Sequence, residues 1–435
     1  MQVSLETTDG LQRRMTIIIP AEKIDGEVEK RLHSLAPKVK LSGFRPGKVP
    51  FSVVKKRFSS QVRSEVFSDV ASTSFYEAVT QENLRPANTP TFDRLKSDPN
   101  SDYQFTAEFE VYPEIVISGL ETMTINRPVV EIVESDIDTM MQKLQKQHAS
   151  WSEVERACEK EDQVHIDFTG KLNGEVFAGG AGKMPLVLGS NTMIEGFEEG
   201  LLGAKPGEER QLDLRFPEKY HKEELAGKDV QFSVLVEKVE VPVLPDIDSE
   251  FAKSFGVESG DIDILRADLQ KNMVREMNQT VRGKLKQQVN EALIEIHDIE
   301  VPKSLIQAES QRLAEQMIER MKSRGGMPAA SISPDAFESQ GKRRVVLGLL
   351  LSEIISNNEL KADPSKVREE VETLASSYDD PAQVVAWYYQ SKNQSQLKDV
   401  EAKVLEDSAI EWVLEQAQVT DNATTFDELM GNSTA

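Results

Sequence analysis

Leu41-Ser42-Gly43-Phe44-Arg45-Pro46-Gly47-Lys48-Val49-Pro50 is the stretch from which the organisation of this chain unfolds. Two glycines and two prolines in ten residues make it a turn. Before it, Ile24, Val28, Leu32, Leu35 and Val39 recur at spacings of four, four, three and four, one apolar stripe of a helix. After it, a second helix begins near Pro50, a favourable first-turn residue, and carries Val53, Val54 and Phe58. Pro46 biases Arg45 toward extended backbone, which turns its guanidinium outward. The loop tip therefore presents Phe44, Arg45 and Lys48 together: an aromatic ring for a pocket, a planar fork and a point charge for anions.

The same region breaks the charge pattern of the chain. The 435 residues carry 51 Lys+Arg against 74 Asp+Glu, a net charge of −23. With 39% hydrophobic and 29% charged residues and a mean hydropathy of −0.43, the composition reads as a soluble chain of several globular domains. It excludes a surface built throughout to coat nucleic acid. Yet from Lys30 to Arg63 there is no Asp or Glu, against ten basic residues: Lys30, Arg31, Lys38, Lys40, Arg45, Lys48, Lys55, Lys56, Arg57 and Arg63. The −23 thus divides into +10 in this window and −33 elsewhere. A solvated basic helix face and a docking element for a polyanion both fit that composition, and the turn chemistry favours docking.

Other classes are excluded more simply. One cysteine, Cys158, allows no internal disulfide and fits a reducing compartment. Met1-Gln2-Val3-Ser4-Leu5-Glu6 lacks the basic-then-apolar start of a secretory leader, and apolar runs such as Val345–Leu351 are too short to span a bilayer. The expectation is a cytoplasmic protein without membrane contact. His33, His148, His165, His221 and His297 show no metal-ligand spacing, and no phosphate loop or nucleophile elbow appears. No metal, cofactor or ATP is expected.

Outward from the loop, strands around Val3–Thr7 and Met15–Ile19 and the alternation Tyr103, Phe105, Ala107, Phe109, Val111 make residues 1–112 an α+β domain. Residues 113–149 form a connector: an extended stretch, then a helix opened by Ser135 with Ile137, Met140, Met141 and Leu144 on one face. That face needs a packing partner distant in sequence.

Gly43-Phe44-Arg45-Pro46-Gly47-Lys48 resembles the ribosome-docking signature of the trigger factor family, bacterial chaperones, and the resemblance runs along the whole chain. It implies docking through Gly43, Phe44, Arg45, Pro46, Gly47 and Lys48 on ribosomal protein and RNA at the peptide exit tunnel. It also implies clients that are nascent and unfolded polypeptides, and a weak homodimer off the ribosome.

From Trp151 to Val241 the texture changes, and eleven of the chain's 24 glycines fall between short alternating strands. Ile166-Asp167-Phe168-Thr169-Gly170, Phe177-Ala178-Gly179-Gly180, Leu188-Gly189-Ser190, Met193-Ile194-Glu195-Gly196-Phe197-Glu198-Glu199-Gly200-Leu201 and Phe216-Pro217-Glu218-Lys219-Tyr220 follow in order, with Val230–Val234 closing the run. This pattern resembles an FKBP-type peptidyl-prolyl isomerase. The resemblance implies a catalytic pocket lined by Phe168, Phe177, Met193, Ile194, Phe197, Tyr220 and Phe232, with the Ile194 N–H and the Tyr220 hydroxyl as hydrogen-bond donors to substrate. Ala178 stands where the family commonly carries an acidic side chain, which bears on catalytic efficiency. The same aromatics in an anonymous domain would read as a small β core.

Beyond Pro242 and Pro245 the chain reads as helical to the end, with a short polar tail after Thr420. Leu265, Leu269, Met273, Met277, Val281, Leu285, Val289 and Leu293 recur every fourth residue, so their stripe drifts around the helix. Pro302, Pro334, Pro364 and Pro381 mark later helix starts. Methionine-rich stripes suit loose gripping of unfolded chains.

The fold expected is multidomain α+β. Residues 1–112 form a ribosome-binding α+β domain, 113–149 a connector strand and helix, 150–242 an FKBP-like antiparallel β domain with a short helix, and 243–435 an all-α chaperone domain with arms. The function expected is an ATP-independent, ribosome-associated chaperone that catalyses cis/trans isomerisation of X–Pro bonds. The alternative is a free isomerase whose flanking domains only recruit substrate. A periplasmic-type chaperone and a nucleic-acid regulator fit less well, lacking a leader and a recognition motif respectively.

Overall fold

The computed structural model describes residues 2–39, 41, 44, 49–94, 102–172, 174–218, 220, 222, 224–323, 332–376, 378 and 380–431. The first elements are β1 (Gln2–Asp9), β2 (Gln12–Ile19), α1 (Ala21–Leu35), α2 (Phe51–Gln81), β3 (Thr91–Arg94) and β4 (Tyr103–Glu110). Then come β5 (Thr124–Val129), α3 (Glu134–Gln147), β6 (Ser150–Val154), β7 (Gln163–Leu172), β8 (Glu175–Val187), α4 (Phe197–Leu201), β9 (Glu209–Arg215) and β10 (Asp229–Val243). The remainder is α5 (Ser249–Ser254), α6 (Ile262–Ile296), α7 (Lys303–Ser323), α8 (Glu338–Asn357), α9 (Pro364–Ala375), α10 (Pro381–Tyr388), α11 (Gln394–Gln416), β11 (Gln418–Ala423) and α12 (Phe426–Met430). Contacts divide the chain into two compact units, Met1–Arg127 with Gly283–Asp421, and Pro128–Arg282 with Asn422–Ala435.

In the first unit, the strand order β1-β2-β4-β3 makes an antiparallel sheet. Ile19, Ile17 and Met15 stand opposite Tyr103, Phe105 and Ala107, and all six are buried. They pack on Ile24, Val28 and Leu32 of α1 and on Val54, Val62, Val66 and Phe75 of α2, the period-two face meeting the period-3.6 stripes. Leu35 is half-buried, while Val39 lies buried beyond the end of α1. Pro50 is the N-cap of α2 rather than a residue inside it. Strand β3 escaped the sequence reading because four residues are too few to show alternation.

The helical part of this unit has its own core. Leu120, Met123 and Ile125 of the connector lie against Val289 and Leu293 of α6, Val346, Leu350 and Ile354 of α8, and Ile410 and Val413 of α11. Pro364 and Pro381 are first-turn residues behind the caps Asp363 and Asp380.

The α/β layer meets this helical part at the α6–α7 loop. The Glu110 carboxylate, at the end of β4, accepts the backbone N–H groups of Lys303 (3.1 Å) and Ser304 (2.8 Å) and the Ser304 hydroxyl. It thereby satisfies the open donors of α7 with a charge of the sign that a helix start favours. Nearby, Gly10 of the β1–β2 turn has φ +46°, which favours glycine, and the Glu300 carboxylate lies against it. His297 accepts the Ser118 N–H at Nε2 (3.2 Å).

In the second unit, β6-β10-β7-β8 form an antiparallel sheet with β9 also on β10. Connector helix α3 begins at Glu134 with Val133 as N-cap; Ser135 lies inside the first turn, and Asp136 closes the end by accepting the Val133 N–H (3.0 Å). Met141 and Leu144 pack with Phe251, Val257, Leu265 and Leu269, whereas Ile137 and Met140 pack with Met273, Met277 and Phe426. The drifting stripe of α6 thus supplies three separate cores, Leu285, Val289 and Leu293 serving the first unit's. A four-residue step advances about 40° around a helix, which is why one stripe reaches several neighbours.

The C-terminal segment is a correction. The end of the chain is neither all-α nor, through residue 431, a polar tail: β11 pairs with β5, Phe426 and Leu429 are buried, and α12 opens with a capping box in which Thr425 and Glu428 each accept the other's backbone N–H. Five residues carry too little periodicity to announce a helix, and the box was the readable signal.

Replacing Glu110 by Ala should leave two helix N–H groups and a hydroxyl without an acceptor. Chemical denaturation should show the unfolding of this unit destabilised by about 2–3 kcal/mol; an unchanged midpoint and slope would contradict the capping role.

Candidate functional site

Pairing in the β sheet gathers the aromatic residues. Phe232 of β10 stands opposite Gly170 of β7, and Phe168 of β7 opposite Gly182 of β8. Gly170 is required by close approach: a Cβ there would sit 2.6 Å from Phe232 and 2.7 Å from Phe177. Phe197 opens α4 after Gly196, whose φ of +85° makes the sharp entry that drops the ring into the sheet.

The rings meet mostly edge to face. Phe197 and Phe232 lie 5.3 Å apart at 83°, Phe168 and Phe197 6.4 Å at 88°, and Phe177 and Phe232 6.1 Å at 86°. Phe197 and Phe232 are buried and form a floor; Phe168, Phe177, Met193, Ile194 and Tyr220 are half-buried around it. All seven side chains selected from the sequence belong to, or pack on, this one cluster. Ala178 lies in β8, and its side chain is outside the described residues.

Three participants were missed. Phe216 bridges Phe177 (5.9 Å) and Tyr220 (4.6 Å), a role its place in the Phe216–Tyr220 motif does not announce. Gly170 was readable as a strand-interior glycine, the usual mark of close approach. Glu198 is the third. Its buried carboxylate accepts the backbone N–H groups of Gly189 (2.7 Å), Asn191 (3.2 Å), Thr192 (2.9 Å) and Met193 (3.3 Å), together with the Ser190 hydroxyl (3.2 Å). Burial is the largest single influence on this carboxyl and raises its pKa, but the four N–H groups together outweigh it and hold the group below its usual range. The loop so anchored leads directly to Ile194. Phe197 donates its N–H to the Ile194 carbonyl (3.1 Å), while the Ile194 N–H is bonded to nothing among the described residues. The arrangement is a cluster of buried and half-buried apolar side chains beside a backbone donor with no partner among the described residues.

Of the basic loop, only Phe44 is described between Ser42 and Lys48; Gly43, Arg45, Pro46, Gly47 and Lys48 lie outside the described residues. The Phe44 ring is 40% exposed, and its N–H donates to the Leu41 carbonyl (3.1 Å). Val39 and Val49, on either side, are buried.

Comparison with known proteins covers most of the chain. The family described as bacterial trigger factor protein matches residues 1–144, FKBP-type peptidyl-prolyl cis-trans isomerase matches 154–240, and the bacterial trigger factor protein C-terminus matches 261–415. A trigger factor of Pseudomonas putida strain GB-1 is 45% identical over 429 residues, 98% of this chain and 97% of its own. One from Pseudomonas aeruginosa strain LESB58 is 46% identical over 429 residues, 98% of each chain. A solved structure of the trigger factor chaperone is similar at a TM-score of 0.48 with 19% identity, covering 95% of this chain and 99% of its own.

The Glu198 anchor has a readable consequence. In Glu198→Gln, exchange of the Gly189, Asn191, Thr192 and Met193 amides should accelerate roughly tenfold or more. Because the carboxyl's pKa is depressed, the wild-type anchor should stay intact from pH 8 to 5 and weaken only as pH falls through the folded value, below the ordinary glutamate range of about 4.3. Equal exchange in both proteins would contradict it.

Proposed function

We propose how this chain, which belongs to the trigger factor family and is a ribosome-associated chaperone with an FKBP-type peptidyl-prolyl isomerase domain, distributes that work among its residues. The observation that carries the reading is the Ile194 N–H, without a partner among the described residues, beside the aromatic cluster. Rotating an X–Pro bond breaks amide resonance against a barrier of roughly 18–20 kcal/mol. The twisted amide carries less charge separation than the planar one, so an apolar basin stabilises it selectively. Phe197 and Phe232 seat the proline ring, and Phe168, Phe177, Met193 and Tyr220 exclude water from around it. The Ile194 N–H donates to a substrate carbonyl and holds the peptide while the bond turns, with the Tyr220 hydroxyl as a second donor. No nucleophile or metal enters the scheme.

In this reading, residues 1–112 dock, 113–149 connect, 150–242 isomerise and 243–435 hold clients. Docking runs through Gly43–Lys48 onto protein and RNA beside the peptide exit tunnel. Exposure of Phe44 and the basic surroundings of its loop support it. A cytoplasmic setting and a weak homodimer away from the ribosome belong to the same reading and rest on the family alone.

Two experiments test these assignments. Phe197→Ala should lower kcat/KM on a proline-containing peptide at least tenfold while protection of an unfolded protein from aggregation persists; loss of both together would favour a free isomerase whose other domains only recruit substrate. Combined Phe44→Ala, Arg45→Ala and Lys48→Ala should abolish co-sedimentation with ribosomes in a protein of unchanged circular dichroism, and undiminished co-sedimentation would refute docking through this loop.

A further inference from the structure

The basic window contains two kinds of cation. Lys30 pairs with Glu27 (2.6 Å) and Arg63 with Asp25 (2.6 Å), and Arg31 lies 3.9 Å from Asp69, so acids from outside the window stand beside these three. Lys38, Lys55, Lys56 and Arg57 are exposed and meet no carboxylate among the described residues. In a chain with 74 acidic against 51 basic residues, a cluster without partners does not arise from a shortage of acids.

We propose that Lys55, Lys56 and Arg57, with Lys38 on the other side of the loop, form a second contact of the docking surface, one that takes backbone phosphates of ribosomal RNA. The proposal rests on the docking reading above and extends it from the loop to the start of α2. His33 of α1 stacks on Phe51, the first residue of α2, at 4.0 Å and 5°, which holds the end of α1 against the start of α2. Lys55 stands one turn beyond Phe51, and Lys56 and Arg57 follow at steps of about 100°. Val54 just before them is buried, whereas Lys55, Lys56 and Arg57 are all exposed, so three cations project to solvent in different directions. Lys38 precedes the loop by three residues and α2 follows it, so unpaired charge flanks both of its ends.

The geometry selects the anion. Three consecutive helix positions diverge and cannot converge on one carboxylate, whereas a nucleic-acid strand offers anions in series. Such contacts position a protein without reading sequence, which suits a surface that needs only an address. Mixing an arginine fork with lysine point charges tolerates varied phosphate orientations.

Salt dependence tests this directly. Co-sedimentation of the full chain with purified ribosomes is measured across a series of KCl concentrations for wild type, for Lys55→Gln with Lys56→Gln and Arg57→Gln, for Lys30→Gln with Arg31→Gln, and for Phe44→Ala. Loss of three phosphate contacts should reduce the slope of log affinity against log salt by about 2–3 and weaken binding roughly tenfold or more at low salt. The Lys30/Arg31 pair should change neither quantity, and unchanged thermal midpoints show that the variants fold. Wild-type slope and affinity in the triple variant would overturn the proposal. Weakened binding at an unchanged slope would overturn it too, because the lost contacts would then not be contacts to phosphates. Impaired binding by Phe44→Ala beside a normal triple variant leaves loop docking standing; normal binding by both removes loop docking as well.

Discussion

The first unit is discontinuous in sequence, and its two parts are held at the Glu110 carboxylate. One acidic side chain at the end of β4 satisfies the opening N–H groups of a helix that begins 193 residues later. An exposed ion pair would contribute little at such a joint. A buried carboxylate on helix donors is different, because every unpaired donor left behind costs desolvation energy. Glu300 against Gly10 and His297 against Ser118 converge on the same loop. The α/β layer and the helical core of this unit therefore meet at this loop, and a displaced α7 would leave the Glu110 carboxylate without its donors.

The second unit solves a related problem on a smaller scale. Its aromatic rings pack as in any β core, and burial alone would favour closing the basin. What keeps it a site is backbone geometry. Gly170 lets two rings approach, Gly196 makes the turn into α4, and Glu198 occupies the N–H groups of Gly189 through Met193. With those donors engaged, the next one, at Ile194, has no partner among the described residues. The Glu198 carboxylate thus fixes the loop that leads to Ile194.

Much of this was legible in the sequence where side chains themselves carry the signal. Alternation placed Tyr103, Phe105 and Phe109 on one buried face, and the spacing of four along α6 announced a drifting stripe that now proves to feed three cores. The ordered motifs from Phe168 to Phe232 picked out the basin residues before any geometry was known. What stayed hidden shares a physical cause. Glu110 and Glu198 bind backbone N–H groups, which every residue but proline possesses, so nothing in the partner's identity points back to them. Strand β3 and helix α12 were too short for periodicity, and α12 was visible only through its capping box. The charge island was plain, but its division into cations with and without a neighbouring acid required knowing that Asp25, Glu27 and Asp69 fold against it.

The role proposed for the Ile194 N–H, donation to a substrate carbonyl, is open to direct observation. Titrating the full chain with a short proline-containing peptide, and following backbone amide signals by nuclear magnetic resonance, observes that group itself. The account predicts that the Ile194 amide shifts with peptide concentration and exchanges more slowly with solvent when saturated, together with shifts at the Phe168, Phe197 and Phe232 rings. An unmoved Ile194 signal, with peptide-dependent shifts confined to other parts of the chain, would contradict it.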